Sequence, residues 1–590
     1  MSLTPILALL LSALPDIPRE LPPSEKELVV VAFIGSECPL ARLYAPRLSE
    51  VNQLADVAVI GVNPNGGDSP ADVERFRRQY HAEFPIVKDV GHRLGDYFGA
   101  TRQLEIFLLD RDRAVRYHGR VDDQYGPGQH RPAPLRQDLL AAIDELKSGQ
   151  PVSVPETPIL GCSIERAPAA VAGGVTYGGA TYGGAVAEIF ERRCVECHRP
   201  GQIGPFSLTS YREAAAWSST IRSRVADGTM PPWHADPACG QFANDRRLPD
   251  DEKQLLLAWI DAGAAEGEPV APRAQRQVAP RWSIGQPDKI VTMPVPLAVP
   301  ATGIVDYITL EIDLGLTEDR WVRATEIAPG ERSLVHHAQA VIGPPGKAEE
   351  IQSGRGEFWH FADFAPGLAP SVLPDGMARR APAGWHLYLT MHYVTTGLAD
   401  SDQTSVGMIF TDTATDAVYT HNIVTDQFTI PPGEPHLRVE QCWTVPQDIL
   451  VLALFPHMHL RGKSFSYEAL YPNGRSEFLL KIPSYDFMWQ QRYVLKQPKR
   501  LPAGTIVRAV AVYDNSADNP ANPDPTATVK YGRQSSDEMF NGYVDFAIIR
   551  PARPHVEWAA LTVGCLWLAR RRWKSKRTGA RAPLNSEPPH

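Results

Sequence analysis

Over residues 25–165 the apolar positions keep two rhythms in turn. ELVVVAFIG (27–35), VAVIGVNPN (57–65) and EIFLLDRD (105–112) are apolar runs with turn residues behind them, which predicts buried strands. Between them, PLARLYAPRLSEVNQL (39–54) and SPADVERFRRQYH (69–81) carry the apolar spacing of a helix face, and the Ser/Asp opening of the second is a helix start. Strands alternating with helices predict an α/β layer. Residues 183–268 lose the strand pattern. AVAEIFERRC (185–194) and PDDEKQLLLAWIDAG (249–263) predict an all-α segment, the second with acids in its first turn and Gly263 near its end. From 286 to 552 short alternating runs such as LRVEQCWTVP, DILVLALFP, SFSYEALYPNG and GTIVRAVAVYDN are cut by Pro, Gly and Asp turns. That is material for two all-β sandwiches of about 120 to 150 residues each.

The expected organisation is therefore multidomain: an α/β domain (25–165), an Ala/Gly-rich linker (166–182), an all-α domain (183–268), a Pro/Arg/Gln-rich linker (269–285) and all-β sandwiches over 286–430 and 431–552. A length of 590 residues agrees, being too long for one core. The net charge of −9, with no basic domain before the extreme C-terminus, argues against a nucleic-acid partner. The 54 prolines and 45 glycines favour loop-rich β-structure. Seven scattered cysteines do not read as a disulfide framework. MSLTPILALLLSALP has the length of a signal peptide without a basic start, so residues 1–24 are expected to be a leader. Residues 553–590 hold an apolar core of about 12 residues followed by a basic cluster, short for a span. The expectation is a short membrane anchor or sorting tail, against the alternative of a frayed amphipathic one.

RRCVECHRPG contains Cys194, Cys197 and His198 in the C-x-x-C-H order of covalent haem c attachment. Two thiols one turn apart reach the vinyl groups at the porphyrin edge, and the adjacent imidazole becomes an axial iron ligand. A redox C-x-x-C has no need of the histidine, and half a zinc site would need two more ligands at finger-like spacing. GTMPPWHAD offers Met230 as the second axial ligand, with His234 competing; a thioether raises the haem potential. The segment resembles cytochrome c domains, where a methionine before a proline often has this role. Haem is attached outside the cytoplasmic membrane, so an extracytoplasmic, periplasmic or cell-envelope location is expected.

The C-terminal half carries SLVHHAQAV with His336 and His337, LTMHYVTTG with His392, FPHMHLRGK with His457 and His459, and DEMFNGYVDF with Met539. Residues i and i+2 of a strand share a face, so His457 and His459 can chelate one ion. Three imidazoles make one site; two imidazoles and a thioether make another, a mixture that suits copper in both oxidation states. Adjacent His336 and His337 face opposite ways in a regular strand. They can share an ion only where the backbone bends, as at a strand end or a bulge. These motifs, with DNSADNPANPDP (514–525), resemble the type II, ascorbate-dependent copper monooxygenases over residues 290–552. The resemblance implies two jelly-roll-type sandwiches and two copper ions. His336, His337 and His392 would hold the electron-storing ion, and His457, His459 and Met539 the ion that meets O2 and a small organic or peptide substrate. Only Cys442 lies in this half, so the disulfides of the animal enzymes have no counterpart. His360, His386, His421 and His436 match no motif position.

In FIGSECPLARLYAP, Cys38 follows a strand and opens a helix, a placement expected to lower its pKa. This stretch resembles the thioredoxin-like redoxin and peroxiredoxin superfamily over residues 25–150. A second cysteine close by is missing, since Ala41 stands there, and Leu104 replaces the usual cis-proline. Cys38 is then either a lone catalytic thiol, one of a pair with Cys162, or a remnant in a scaffold. The function expected is a copper-dependent monooxygenase with a fused haem c domain fed by an external electron donor. The alternatives are a non-catalytic haem and copper electron-transfer or sensing protein, and a thiol-dependent oxidoreductase led by Cys38.

Overall fold

The apolar run Leu28–Phe33 is buried along its whole length because it is the middle strand of five. It pairs in parallel with Val57–Asn63, which pairs in parallel with Ile86–Lys88; on its other side it pairs antiparallel with Ile106–Leu109, which in turn pairs antiparallel with Val115–Gly119. The helices Pro39–Asn52 and Asp138–Lys147 share one apolar cluster with this sheet, and Arg93–Phe98 shares the other. The helix Pro70–Gln79 starts at a capping box between Ser69 and Asp72, as its sequence predicts. The structure is a computed structural model and describes residues 21, 24–126, 129–131, 133–164, 180–268, 281–352, 358–414 and 416–549. The expected leader, apart from residues 21 and 24, most of both linkers and the C-terminal tail lie outside the described residues.

Residues 180–268 form the helices Ala187–Arg193, Tyr211–Ala216, Ser218–Ala226 and Asp250–Asp261. The last opens with Asp250, Asp251 and Glu252, which suits the positive end of its dipole. It closes before Gly263, whose φ of 91° favours glycine. Phe190, Trp217, Leu256 and Trp259 lead its core. Among the described residues no helix is long and apolar enough to cross a membrane.

The remainder is β-structure in several sheets. A four-stranded sheet in the order Ile308–Asp313, His386–Tyr393, Val335–Gly343, Trp359–Phe364 covers one part of a nine-stranded sheet. A second four-stranded sheet, Leu437–Thr444, Ile506–Tyr513, Gly462–Leu470, Ser476–Ile482, covers another part. Leu437–Thr444 alternates half-buried and exposed residues throughout, the period-two pattern read in the sequence. The nine-stranded sheet runs across the expected boundary at residue 430. The strand Asp416–Val424 pairs with Asn541–Ile548, and it is joined to Met377–Ala381 by a two-residue parallel pairing. The two sandwiches are therefore continuous through the backbone.

A buried ion cluster crosses that join. Arg379 on Met377–Ala381 reaches Asp545 on Asn541–Ile548 at 3.0 Å, Arg492 Nε donates to the same carboxylate at 3.0 Å, and Thr420 Oγ1 donates at 2.5 Å. Burial alone would raise the Asp545 pKa, but Arg379 and Arg492, with His360 and Thr420, hold it well below the usual carboxylate range. The helical segment is clamped on the same region. Ala243 N–H bonds to Val494 O and Lys496 N–H to Gln241 O, both at 2.8 Å, so residues 241–243 extend an edge strand. Trp233 and Phe242 fill the core beneath.

Asp545→Asn should cost about 3–5 kcal/mol at neutral pH, because two buried guanidinium groups lose their partner. The folded carboxyl titrates below the unfolded one. Its contribution is thus fully present above the unfolded value of about 4 and is lost as pH falls through the folded value. Guanidinium unfolding of both proteins across a pH series should show a gap that is constant above pH ~4 and closes below it.

Candidate metal centre

His336, His337 and His392 come from two adjacent strands. His337 stands opposite His392 in the pairing of Val335–Gly343 with His386–Tyr393, and the register slips between Val335 and His337. That bulge supplies the bend the sequence demands, and it turns two successive imidazoles to one side. The ring centroids of His336 and His337 are 3.9 Å apart. His392 Nδ1 lies 3.4 Å from His336 Nδ1 and 3.4 Å from His337 Nδ1. A tetrahedral first-row ion with bonds of about 2.0–2.1 Å holds its nitrogens roughly 3.3 Å apart, so these nitrogens stand at the spacing such an ion requires. The ligand atoms of all three residues lie within 4.8 Å of one another.

The second group forms where strand Ile449–His457 ends. His457 lies opposite Asn541 in the pairing with Asn541–Ile548, and Met539 lies two residues before the start of that strand. His457 and His459 rings are 5.1 Å apart. Asn541 Nδ2 is 3.3 Å from Met539 Sδ. His457 Nδ1 pairs with Gln490 Oε1 at 2.6 Å and His459 Nδ1 with the Asp537 carbonyl at 3.3 Å. Each imidazole therefore donates from Nδ1 and keeps the Nε2 lone pair for a ligand.

The two groups are neighbours. Phe487 lies 5.3 Å from His337, 5.8 Å from His392 and 5.8 Å from His459, ring centre to ring centre. Tyr307 stacks on His392 at 4.4 Å and faces His459 at 6.2 Å. Gln490 reaches both groups, its Oε1 on His457 and its Nε2 3.5 Å from His337 Nδ1. Burial pushes the His337 pKa well down, and His336, His392, His457 and His459 push the same way. Burial also lowers His457 and His459. All three stay neutral at pH 7, the state that binds a metal ion.

A buried polar frame supports the second group. Glu538 Oε2 accepts from the backbone N–H of His459 at 2.8 Å and of Met539 at 3.2 Å, and its Oε1 accepts from that of Arg461 at 2.6 Å. Burial raises its pKa to about 7 against those donors. Arg461 is 1% exposed, and its Nε donates to Asn515 Oδ1 in the DNSADNPANPDP loop at 2.7 Å. Gln490, Phe487, Tyr307 and Glu538 were not singled out by sequence reasoning. PSYDFMWQQRYV carries no spacing signal; only Glu538 lies inside a quoted motif.

In the helical segment, Cys197 N–H and His198 N–H both bond to Cys194 O, at 3.1 and 2.9 Å, so C-x-x-C-H forms a single turn. Burial raises the Cys194 thiol to about 12 and also raises Cys197. Burial lowers His198, whose Nδ1 donates to Phe206 O at 3.1 Å and leaves Nε2 as an outward lone pair. Two thiols and an oriented neutral imidazole on one turn fit the donor set of a covalent haem. Met230 follows the helix Ser218–Ala226, half-buried, with its N–H bonded to Arg224 O at 3.0 Å; it is not among the core side chains packed with Phe206. His234 is turned toward Asp486, beside the Phe487 loop, and its pKa is lowered by burial.

The expected lowering of the Cys38 pKa is overturned. It is the N-cap of Pro39–Asn52, but its thiol is 0% exposed and its pKa is raised well above normal, first by a hydrogen bond with Cys162 and then by burial. The backbone N–H groups of Leu40 and Ala41 pull the other way and are outweighed. A thiol held neutral and dry does not fit a lone peroxide-reducing thiolate.

Residues 19–118 match the AhpC/TSA family. Residues 415–558 match the C-terminal domain of the copper type II ascorbate-dependent monooxygenases. Among solved structures, a hypothetical protein from Sinorhizobium meliloti 1021 is 29% identical over 24% of this chain and 80% of that one, with a TM-score of 0.22. An uncharacterized conserved protein from Geobacillus kaustophilus is 25% identical over 25% and 80%, with a TM-score of 0.23. A secreted Mycobacterium tuberculosis disulfide oxidoreductase homologous to E. coli DsbE is 18% identical over 19% and 77%, with a TM-score of 0.16. No curated protein matches. The chain thus joins a thioredoxin-like N-terminal domain to a copper monooxygenase C-terminal domain.

His337→Ala should remove one metal equivalent and leave the second bound, read by elemental analysis after dialysis. Gln490→Leu should keep both equivalents but weaken that of the second group by roughly 10–100-fold in a chelator titration, because the amide oxygen orients the His457 imidazole.

Proposed function

We propose that the chain is an extracytoplasmic copper-dependent monooxygenase in which a haem c on residues 183–268 feeds electrons to two copper sites. His336, His337 and His392 would hold the electron-storing copper. His457, His459 and Met539 would hold the copper that meets O2 and a small organic or peptide substrate. Cys194, Cys197 and His198 would hold the haem, with Met230 as its further ligand and His234 as the competitor. The observation that carries this reading is the meeting of five imidazoles from three separate stretches around Phe487 and Gln490.

Bound at these donors, copper supplies one-electron storage and O2 activation, and haem supplies electrons singly from an external donor. Hydroxylating a C–H bond with O2 consumes two electrons and two protons and leaves one water, which is why two storage sites suit a one-electron feed. The protein's own groups supply order and dryness. Gln490 fixes the His457 imidazole from its Nδ1 side. Phe487 and Tyr307 fill the space between the groups with aromatic surface. Glu538 accepts from the backbone N–H groups of His459 and Met539 and so ties those two stretches of backbone to one carboxyl group. Residues 241–243, hydrogen-bonded to the edge strand that follows Gln490, keep the helical segment against the copper domain. The location outside the cytoplasm rests on the haem motif, and anchoring would come from the basic-flanked tail at 553–590.

Protein purified from a periplasm competent for cytochrome c maturation should contain two copper ions and one covalent haem. With reductant, it should consume O2 in step with a hydroxylated product. Met539→Ala should lose that turnover while keeping copper at the three-histidine group; full oxygenase activity in this variant would overturn the assignment. Cys194→Ser should lose the haem band that survives denaturation.

A further inference from the structure

The turn that carries Cys194, Cys197 and His198 lies against backbone of the copper domain. A Cβ built on Gly367 would stand 3.6 Å from Cys197 Sγ and 2.7 Å from Arg246 Nη1, so a glycine is what lets the backbone come this close to the sulfur. Ala365, Pro366, Gly367 and Leu368 form a turn closed by Leu368 N–H to Ala365 O at 2.9 Å. Proline in its second place and a φ of 74° in its third make it a type II turn, a second demand for glycine at 367. Arg246 holds the contact from the other side: its Nη2 donates to Glu196, the neighbour of Cys197, at 3.2 Å. Just before Arg246, Asn244 Nδ2 donates to Arg492 O at 2.7 Å and Val494 N–H to Asn244 Oδ1 at 3.1 Å. The sulfur and the turn are thus held together by groups on both flanks.

The turn leads straight to the three-histidine group. It follows the strand Trp359–Phe364, and Phe364 stands opposite Ala338 in the antiparallel pairing with Val335–Gly343. Ala338 is the residue after His337. The backbone path from Gly367 therefore runs to Phe364, across one strand pair to Ala338 and over one peptide to His337, about 20 Å at most. The second group lies on Ile449–His457 and on the stretch before Asn541–Ile548; among the described residues neither of those strands pairs with Trp359–Phe364. A competing route runs from Asn244 through Arg492 to Gln490 and His457. It starts at residue 244 and not at the sulfur that would carry the haem.

We propose that the 365–368 turn is the electron entry of the copper domain, taking electrons one at a time from a haem attached at Cys197 and passing them to the group of His336, His337 and His392 before the second group. This rests on the haem and copper reading above. One electron leaves ferrous iron, which becomes ferric, and Cu(II) at the three histidines becomes Cu(I); no bond forms or breaks and no proton moves. Gly367 and Arg246 are positioning residues in this step: one lets the turn reach the sulfur, and the other keeps it there.

The test uses the full-length protein loaded with haem and copper, without O2 or substrate. Photoreduced flavin reduces the haem in a flash; reoxidation of the haem is followed by its visible band and loss of Cu(II) by electron paramagnetic resonance. In wild type the reoxidation rate should not depend on protein concentration. Gly367→Val should keep the haem and copper contents of wild type while that rate falls about tenfold or more, because the added side chain must move the turn off Cys197. An unchanged rate in this variant overturns the proposal. His337→Ala gives a second arm, which also decides the matter should Gly367→Val not fold. With copper left at the second group alone, prompt reoxidation of the haem should be lost; a wild-type rate there puts the entry at the second group and overturns the proposal. Haem and copper contents are measured first. A wild type without covalent haem, or without copper at both groups, overturns the underlying reading and the proposal with it, and is told apart from a failure of the route alone.

Discussion

Four imidazoles around the Phe487 ring, with His457 beside His459, set the terms for everything else in the C-terminal half. Charging His337 or His459 would place a cation in a dry site beside other imidazoles, so burial and repulsion both drive the proton off. A cluster of neutral nitrogens with little water is a poor interior on its own, because each lone pair needs a partner. It becomes a good interior when a cation occupies it. The bulge at His336, the tautomers fixed by Gln490 and Asp537, and the carboxylate of Glu538 under His459 and Met539 all hold donors in that arrangement.

Distance between the two groups is then a matter of how the sheets are joined. One group sits on a four-stranded sheet, and His457 sits at the end of a strand in the nine-stranded sheet. If the sandwiches met only through side chains, their relative placement could slide. Instead a parallel pairing links them, and the Arg379–Asp545–Arg492 cluster crosses the same join. The pairing is only two residues long, so the buried ions carry much of the geometric definition. Such a cluster is a weak source of net stability but a strict one of position, because any slip would leave a buried charge unpaired.

The sequence made the donors legible and left their supports hidden. Histidine and methionine motifs are visible because metal chemistry restricts residue type and spacing, and the need for a bend at His336 followed from strand geometry alone. Gln490 and Phe487 are invisible by the same logic, since an amide or a phenyl ring becomes a partner only through tertiary placement. Strand and helix rhythms located the α/β, helical and β segments. The continuous nine-stranded sheet escaped because pairing between Met377–Ala381 and Asp416–Val424 leaves no local trace. The direction of the Cys38 pKa shift is hidden for a related reason. Its place at a helix start is local, whereas the burial and the Cys162 contact that outweigh it are not.

The helical segment is positioned to matter to both of its neighbours. Toward the α/β domain, Trp217 bonds to Glu37 next to Cys38 and stacks on Phe206 at 4.0 Å, and the Phe206 carbonyl orients His198. Toward the copper domain, Trp233 lies 4.9 Å from Tyr493, and His234 faces Asp486, one residue before Phe487. One short helical unit therefore touches the loop of the buried thiol and the loop that fills the space between the histidine groups. Tethering redox partners in one chain replaces a diffusional encounter with a fixed local concentration. On the proposed reading, the supply of electrons depends less on the affinity of a soluble reductant than on contacts already made in the fold.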